Sequence, residues 1–535
     1  MTNKKKKLYI TTPIYYPSGK PHIGHAYTTV LADVIARYKR AIGYDVFFQT
    51  GLDEHGEKIA NTALKQKKEI KVMLDEMAVV FKGLWKQLDI SYDYFIRTTD
   101  KQHEQAISKI FSTLIEKDCI YLGEWASYYC VSCEENYTKS QIEKKGDGKM
   151  YCQFGHELTY KKEPSYFLKV SKYQKWIKNV LTKSKNFIYP QSRVKELTNS
   201  FINEGLTDLS VSRTSINWGI KVKENPKHVI YVWIDALFNY LTSLGYLSKD
   251  DKLFKKYWQN NDVQRVHLMS KEIMRFHCIY WPIMLHMLNL NLPTKVISHG
   301  WVITNQGKMS KSLGNVIDPK MYLDDFGSDA LRYFLIKELS IEQDSVFSHD
   351  IFVKVYNGDL ANNYGNMITR VWGMMQRYTD YKVPALSKKL NNLDKQVIKY
   401  HQDLIDNYKK YVDEFKIKDL LIKIQSSYDV LNKYIENVKP WQLFKNKQTE
   451  TLNNCLNIIF HFMVDLNILL SPILVKASVN FFKTFKLKSK DGKKTIAFGP
   501  YYLNKDSKAR YEMYADHNFK PKNESDYPKI IFARR

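Results

Sequence analysis

The chain has 535 residues, 44% apolar and 14% aromatic, enough to bury a sizeable core and to exclude wholesale disorder. Lys and Arg number 82 against 56 Asp and Glu, a net charge of +26, which fits a polyanionic partner and equally fits a composition rich in Lys, Asn, Tyr and Ile. Six cysteines in this length exclude a disulfide scaffold, and no apolar run follows Lys4 to Lys7 to make a secretory signal, so a soluble protein of a reducing compartment is expected.

Residues 8–12 read as a short apolar strand entering a loop with Pro13, Pro17, Gly19 and Pro21. Ala26, Val30, Val34, Ile35 and Tyr38 give residues 24–42 a helical period, and Gly43 stands where a helix-ending glycine belongs. Residues 45–50 are a second strand. Strand, helix and strand within some fifty residues predict a parallel sheet with ligands at its strand ends. Residues 119–227 differ in character, with clustered cysteines, short aromatic strands and charged turns, and read as an insertion between two halves of one sheet. The alternation resumes with strands over 228–235, 263–269 and 295–301 and helices over 236–247 and 271–290.

From about residue 356 the pattern turns helical, over 356–378, 393–415, 418–435 and 451–470, a bundle of four or five helices. The apolar run 455–475 is broken by Asn457, His461, Asp465, Asn467 and Pro472, as in a buried bundle helix and not a membrane span. Cys119, Cys278 and Cys455 stand alone in apolar surroundings and read as core. Residues 486–535 are basic and weakly periodic, a tail expected to be solvated.

Two motifs carry chemistry. Pro21-His22-Ile23-Gly24-His25 joins the first strand to its helix. Gly24 permits close backbone approach, the helix N-terminus carries roughly half a positive charge, and His22 and His25 add donors, an assembly suited to a nucleotide phosphate. Lys308-Met309-Ser310-Lys311-Ser312 follows the last strand of the second half, after Asn305-Gln306-Gly307. Two lysines on a mobile loop can close over a triphosphate and neutralise a pyrophosphate leaving group.

With this pair of signatures the chain resembles the class I aminoacyl-tRNA synthetases, and among them the methionine-specific branch. The resemblance runs from Leu8 to about Leu470 and includes Tyr9-Ile10-Thr11-Thr12-Pro13-Ile14-Tyr15-Tyr16, Thr50-Gly51-Leu52-Asp53-Glu54-His55-Gly56, Tyr231-Val232-Trp233-Ile234-Asp235-Ala236 and Gly314-Asn315-Val316-Ile317-Asp318-Pro319. It implies an α/β fold: a Rossmann-type parallel-sheet catalytic domain split over 1–118 and 228–300, with a zinc-knuckle-like connective insertion at 119–227. A loop and stem-contact region at 301–355, an anticodon-binding α-helical bundle at 356–485 and the tail at 486–535 complete the expected organisation.

The implied activity is ATP-dependent formation of methionyl-adenylate with release of pyrophosphate, then transfer to the 3′-terminal adenosine of initiator and elongator tRNA(Met). ATP is a substrate accompanied by Mg2+. His22, Gly24, His25, Lys308 and Lys311 are the expected catalytic and ATP-binding residues, with Glu272 on the ribose and Ser270 replacing a usual glycine. Asp53 is expected to hold the methionine ammonium. Ile14, Tyr16, Trp233, Ala236, Tyr240, His277 and Trp281 line its side-chain slot, where sulfur–aromatic contacts contribute about 0.3–1.5 kcal/mol each. The insertion is too short for the editing domain of the branched-chain enzymes, and the first half lacks the thiols of a cysteine-specific site.

Cys130-x-x-Cys133, Cys152 and His156 resemble the connective zinc knuckle, three thiolates and an imidazole that would close a tetrahedral structural site, although three residues separate Cys152 from His156. A zinc-free knuckle held by packing stays open. Asn366, Arg370 and Trp441 match anticodon-reading positions, the first two four apart on one helix face. A cytoplasmic monomer without membrane contact is expected. Two other readings compete with this one: a small nucleotidyltransferase, which would lack the bundle, and an inactive RNA-binding relative, which intact His22, Gly24, His25, Asp53, Lys308 and Lys311 oppose.

Overall fold

The computed structural model describes residues 5–137, 142–146, 148–153, 155–184, 186–309, 314–487, 516–521 and 532–534, with the backbone alone for Asn136 and Lys308. Strands β1 (Lys7–Tyr15), β2 (Asp45–Leu52), β3 (Tyr94–Arg97), β4 (Ile188–Tyr189), β5 (Val263–Ser270) and β6 (Lys295–His299) form one sheet in the order β3-β2-β1-β5-β6-β4, every pair parallel. From β1 the chain order runs outward to β2 and β3 on one side and to β5 and β6 on the other. The β1–β5 junction is therefore the topological switch point, where ligands of open parallel sheets gather at the strand ends.

Pro13 brings no N–H to the ladder, and the β1–β2 register shifts between Thr11 and Ile14. This irregularity re-aims Ile14 to Tyr16 at the mouth of the switch point. Helix α1 (Ile23–Ala41) packs behind it and ends before Gly43 at φ 93°, a left-handed position that suits glycine.

The insertion builds an antiparallel sheet in which Thr159–Leu168 pairs with Ile120–Cys130 and Leu209–Ser210, and Glu135–Tyr137 adds to the other edge. It also supplies β4 to the six-stranded parallel sheet. The strand expected over 228–235 is not found. Only Val229–Ile230 is extended, and helix α3 (Val232–Thr242) starts at the next turn. Every residue of α3 is buried, so no polar face betrays its period. The segment expected as a helix over 271–290 is helical over 271–287 but changes type along its length, from 3-10 (Lys271–Ile273) through a π-helical turn (Phe276–Tyr280) to α (Trp281–Met287).

Helices α4 (Asn366–Thr379), α5 (Asn392–Asp413), α6 (Ile417–Val438), α7 (Pro440–Lys445), α8 (Thr449–Leu470) and α9 (Val475–Thr484) form the C-terminal bundle. Among the described residues α8 is the one helix long and apolar enough to cross a membrane, and it is the buried centre of this bundle. Cys119, Cys278 and Cys455 are buried, as expected of core residues.

Arg332 is buried where the bundle meets α1. It pairs with Asp33 at 2.7 Å and donates to the carbonyls of Leu88, Pro472 and Ile473. The solvated tail is corrected at residues 516–521: Val383 donates to His517 O, Asp516 to Val383 O and Phe519 to Tyr381 O. The Phe519 ring lies buried beside Trp372, Phe460 and Phe485.

Candidate functional site

His22 and His25 open α1 with a reciprocal cap. Gly24 N–H donates to His22 Nδ1 at 3.1 Å, and His22 N–H donates to His25 Nδ1 at 3.0 Å. The rings stack with centroids 3.8 Å apart. Since each Nδ1 accepts, each ring proton sits on Nε2, which makes both imidazoles donors at the helix N-terminus. A Cβ on Gly24 would lie 2.9 Å from the His22 ring, so glycine is what lets the imidazole fold back over the backbone.

The second motif reaches the same place. Val302–Thr304 and Gly307–Lys308 form a small hairpin, and the Met309 methyl lies 3.8 Å from where a Gly24 Cβ would stand. Ile23 N–H donates to Ile317 O at 3.0 Å, pinning the segment beyond the loop to the start of α1. Lys311 lies outside the described residues, as does the Lys308 side chain.

Asp53 follows the end of β2, and its N–H donates to Tyr15 O at 2.9 Å. Tyr15 in turn packs edge-on against His25, so one strand end joins the two sites. The Asp53 carboxyl is buried, and Oδ1 has no hydrogen-bond partner among the described residues. Burial and the neighbouring Asp235 charge push this carboxyl well above the usual range. A buried acid of this kind is completed by a cation brought by a ligand.

Beside it stands a network that sequence reasoning did not single out. Asp235 accepts from His55 Nδ1 and from His103 Nε2, each at 2.6 Å. Burial pulls the His55 imidazole down, but the Asp235 carboxylate outweighs it and lifts the ring to about 10. Burial likewise raises Asp235, and His55 with His103 brings it to about 2. This pairing holds Asp235 ionised behind Asp53, and the His55 charge offsets part of its effect there. His55 and Asp235 do sit inside the quoted Thr50–Gly56 and Tyr231–Ala236 stretches, the one signal that could have found them.

The slot itself is aromatic. Trp233 stacks on Phe276 with centroids 3.7 Å apart and planes 5° apart. Tyr240 O–H donates to His277 Nε2 at 2.7 Å, while His277 Nδ1–H donates to Ile273 O. Burial lowers His277 to about 4, so it is neutral at pH 7. Trp281 Nε1–H donates to His267, which stacks on Tyr240. Ala236 is buried one turn before Tyr240, whereas Ile14 and Tyr16 are half-buried where β1 ends. The Tyr16 O–H and Trp233 Nε1–H have no hydrogen-bond partner among the described residues. Such a slot offers apolar faces and soft edges.

Glu272 is exposed in the turn after β5. Ser270 has φ −77°, an extended conformation open to any residue, so replacing glycine here introduces no backbone strain.

Cys130, Cys133, Cys152 and His156 gather so that their ligand atoms all lie within 4.8 Å of one another. Cys133 Sγ is 3.2 Å from His156 Nδ1 and 4.0 Å from Cys152 Sγ. These separations suit a tetrahedral cation with sulfur at about 2.3 Å and nitrogen at about 2.0 Å. Hydrogen bonds from Cys130 and Cys133 hold Cys152 below the usual thiol range, while the same pairing raises Cys133. The thiols compete for one negative charge, and a bound dication would relieve that competition.

In the bundle, Asn366 opens α4 and Arg370 follows one turn on, where it donates to Asn432 at 3.3 Å. Trp441 and Phe444 on α7 are both exposed, with Phe444 packed on Tyr378.

A family profile described as tRNA synthetases class I (M) matches residues 8–372. The methionine–tRNA ligase of Ureaplasma parvum is 47% identical over 99% of this chain and 98% of its own length. That of Mycoplasma genitalium is 44% identical over 90% of this chain and 93% of its own. Among solved structures, Mycobacterium tuberculosis methionyl-tRNA synthetase in complex with methionyl-adenylate superposes with a TM-score of 0.87 at 33% identity, covering 92% of this chain and 96% of that one.

Proposed function

The chain belongs to the class I tRNA synthetases, within them to the methionine–tRNA ligases, and from that premise we propose how its residues divide the work. The methionine carboxylate attacks the α-phosphorus of ATP, the bond to pyrophosphate breaks, and methionyl-adenylate forms. The terminal adenosine of tRNA(Met), initiator or elongator, then attacks the carbonyl and releases AMP.

Asp53 binds the methionine ammonium, since its buried Oδ1 lacks a partner among the described residues and Asp235 behind it is already committed to two imidazoles. That buried carboxyl, its Oδ1 unpaired among the described residues, beside an aromatic slot is the observation that carries the reading. Ile14, Tyr16, Trp233, Ala236, Tyr240, His277 and Trp281 receive the thioether. His22 and His25 donate from Nε2 to the phosphates, and Gly24 keeps the backbone open there. Lys308 and Lys311 neutralise the departing pyrophosphate, and Glu272 takes the ribose.

Mg2+ accompanies the phosphates. Cys130, Cys133, Cys152 and His156 hold a structural zinc, for which the donor set and separations fit. Asn366, Arg370 and Trp441 read the anticodon, supported by the exposed Trp441 indole. We place the protein in the cytoplasm as a monomer.

The test is ATP–pyrophosphate exchange with each of the twenty amino acids. A response to methionine alone supports the reading, and exchange driven equally by another amino acid, or by none, overturns it.

A further inference from the structure

We infer that Glu134 and Glu135, the two carboxylates directly after Cys133, are positioning residues. They fasten the cysteine knuckle to both walls of the methionine slot, so that methionine affinity depends on the knuckle's integrity. The inference rests on the assignment of that slot to methionine.

Both carboxylates are buried, at 1% and 7% exposure, although they sit on a small peripheral knuckle. Buried acids need partners, and those found here belong largely to the slot's framework. Glu134 Oε1 accepts from Lys58 N–H at 2.7 Å, in the first turn of α2 (Glu57–Gln66). The helix has no side-chain cap of its own, so the knuckle supplies the missing acceptor. Gly56 makes the approach possible: a Cβ there would lie 2.6 Å from Glu134 Oε1. Lys58 then reaches both ways, donating through Nζ to Ser132 O at 2.9 Å and lying 4.9 Å over the Tyr16 ring. This is the first wall.

The second wall is held by Glu135. It pairs with the Arg275 guanidinium, and Tyr137 O–H donates to its other oxygen at 2.9 Å. Arg275 precedes Phe276, the ring stacked on Trp233. Tyr231, at the entrance of α3, donates its O–H to Glu134 O. Glu134 sits at φ 53°, a left-handed turn that sends the two consecutive side chains toward different partners. Cys133 is thus one residue from a contact with the β2–α2 side and two from a contact with the β5 side. A metal closing the knuckle would fix where both carboxylates stand.

The test measures methionine binding at equilibrium by tryptophan fluorescence, alongside the methionine and ATP KM values in pyrophosphate exchange. Glu134→Ala and Glu135→Ala are each expected to weaken methionine about 10- to 100-fold with ATP KM within about twofold, as for lost buried charged hydrogen bonds. Glu134→Gln keeps an acceptor for Lys58 N–H and should recover most of the loss. It also carries the test if the alanine variant does not fold. Cys133→Ser, and wild-type protein stripped by a chelator, should show the same methionine-selective weakening in the fluorescence titration. Methionine affinity within twofold of wild type in folded Glu134→Ala and Glu135→Ala, or equal loss for ATP and methionine, overturns the inference. Wild-type protein that does not bind methionine at all would instead overturn the assignment of the slot.

Discussion

Replacing Asp53 by Asn keeps the volume of the side chain and removes its charge. With the ammonium bound, Asp53 forms a buried ion pair, and removing one partner of such a pair costs about 3–5 kcal/mol. At about 1.4 kcal/mol per decade this is roughly two to nearly four decades in methionine affinity. The effect should fall on methionine KM and on equilibrium binding, while ATP KM stays within about threefold.

Its pH dependence follows from the same burial. Desolvation and the Asp235 charge raise the Asp53 carboxyl in the unliganded protein, so at acidic pH it carries a proton that methionine must displace. Wild-type affinity should therefore weaken as pH falls, and Asp53→Asn should lose that dependence. A folded-state value above the unfolded one also means that the ionised group opposes folding near neutrality. The unliganded variant should melt at or above the wild-type temperature. Methionine KM within about threefold of wild type, or parallel losses for ATP and methionine, would refute the assignment.

Three further outcomes are expected. Lys311→Ala should slow adenylate formation by orders of magnitude and leave methionine binding nearly unchanged; unaltered pyrophosphate exchange would remove Lys311 from the mechanism. Trp441→Ala should lower kcat/KM for tRNA by roughly 5- to 150-fold, as expected for about 1–3 kcal/mol of base stacking, without altering tRNA-independent exchange; equal loss of both activities would mark Trp441 as a folding residue. Arg332→Met should reduce stability in urea by about 3–5 kcal/mol, because buried Asp33 is left with Arg37 and Ser91 alone and the Leu88, Pro472 and Ile473 carbonyls lose their donor. Burial raises Asp33, but Arg332 and Arg37 outweigh it and hold the carboxyl below its usual value. The wild-type contribution is therefore full above the unfolded aspartate range near pH ~3.9 and lost as pH falls through the folded value. A shift of less than about 1 kcal/mol would contradict this reading of the α1–bundle junction.

The parts of the fold that could be read from the residues are those whose burial is one-sided. Helices such as α5 and α6 show a period because solvent meets one face. Helix α3 has no solvent face, so its apolar opening, Val232-Trp233-Ile234, was indistinguishable from a buried strand. The two-residue strand Ile188–Tyr189 is too short for any alternation to register, yet it completes the catalytic sheet. Motif residues were legible because their chemistry depends on local spacing: His22, Gly24 and His25 cap one another within a single turn.

The Asp235–His55–His103 cluster and the contacts of Glu134 and Glu135 join residues tens to well over a hundred positions apart. No local pattern encodes them. The segment 516–521 was not legible for another reason: its return to the bundle rests on Phe519 and a few backbone hydrogen bonds, a signal without periodicity in a polar, basic tail.

The central claim is that the capped histidines at the start of α1 and the 308–312 loop close over one nucleotide while Asp53 holds the amino acid. A structure of the protein bound to a non-hydrolysable methionyl-adenylate analogue tests it most directly. The account predicts the phosphate mimic between the His22 and His25 rings and that loop, with the ammonium on Asp53 Oδ1. An analogue bound in a closed, active form with its phosphate away from both segments, or its ammonium on another carboxylate, would contradict it.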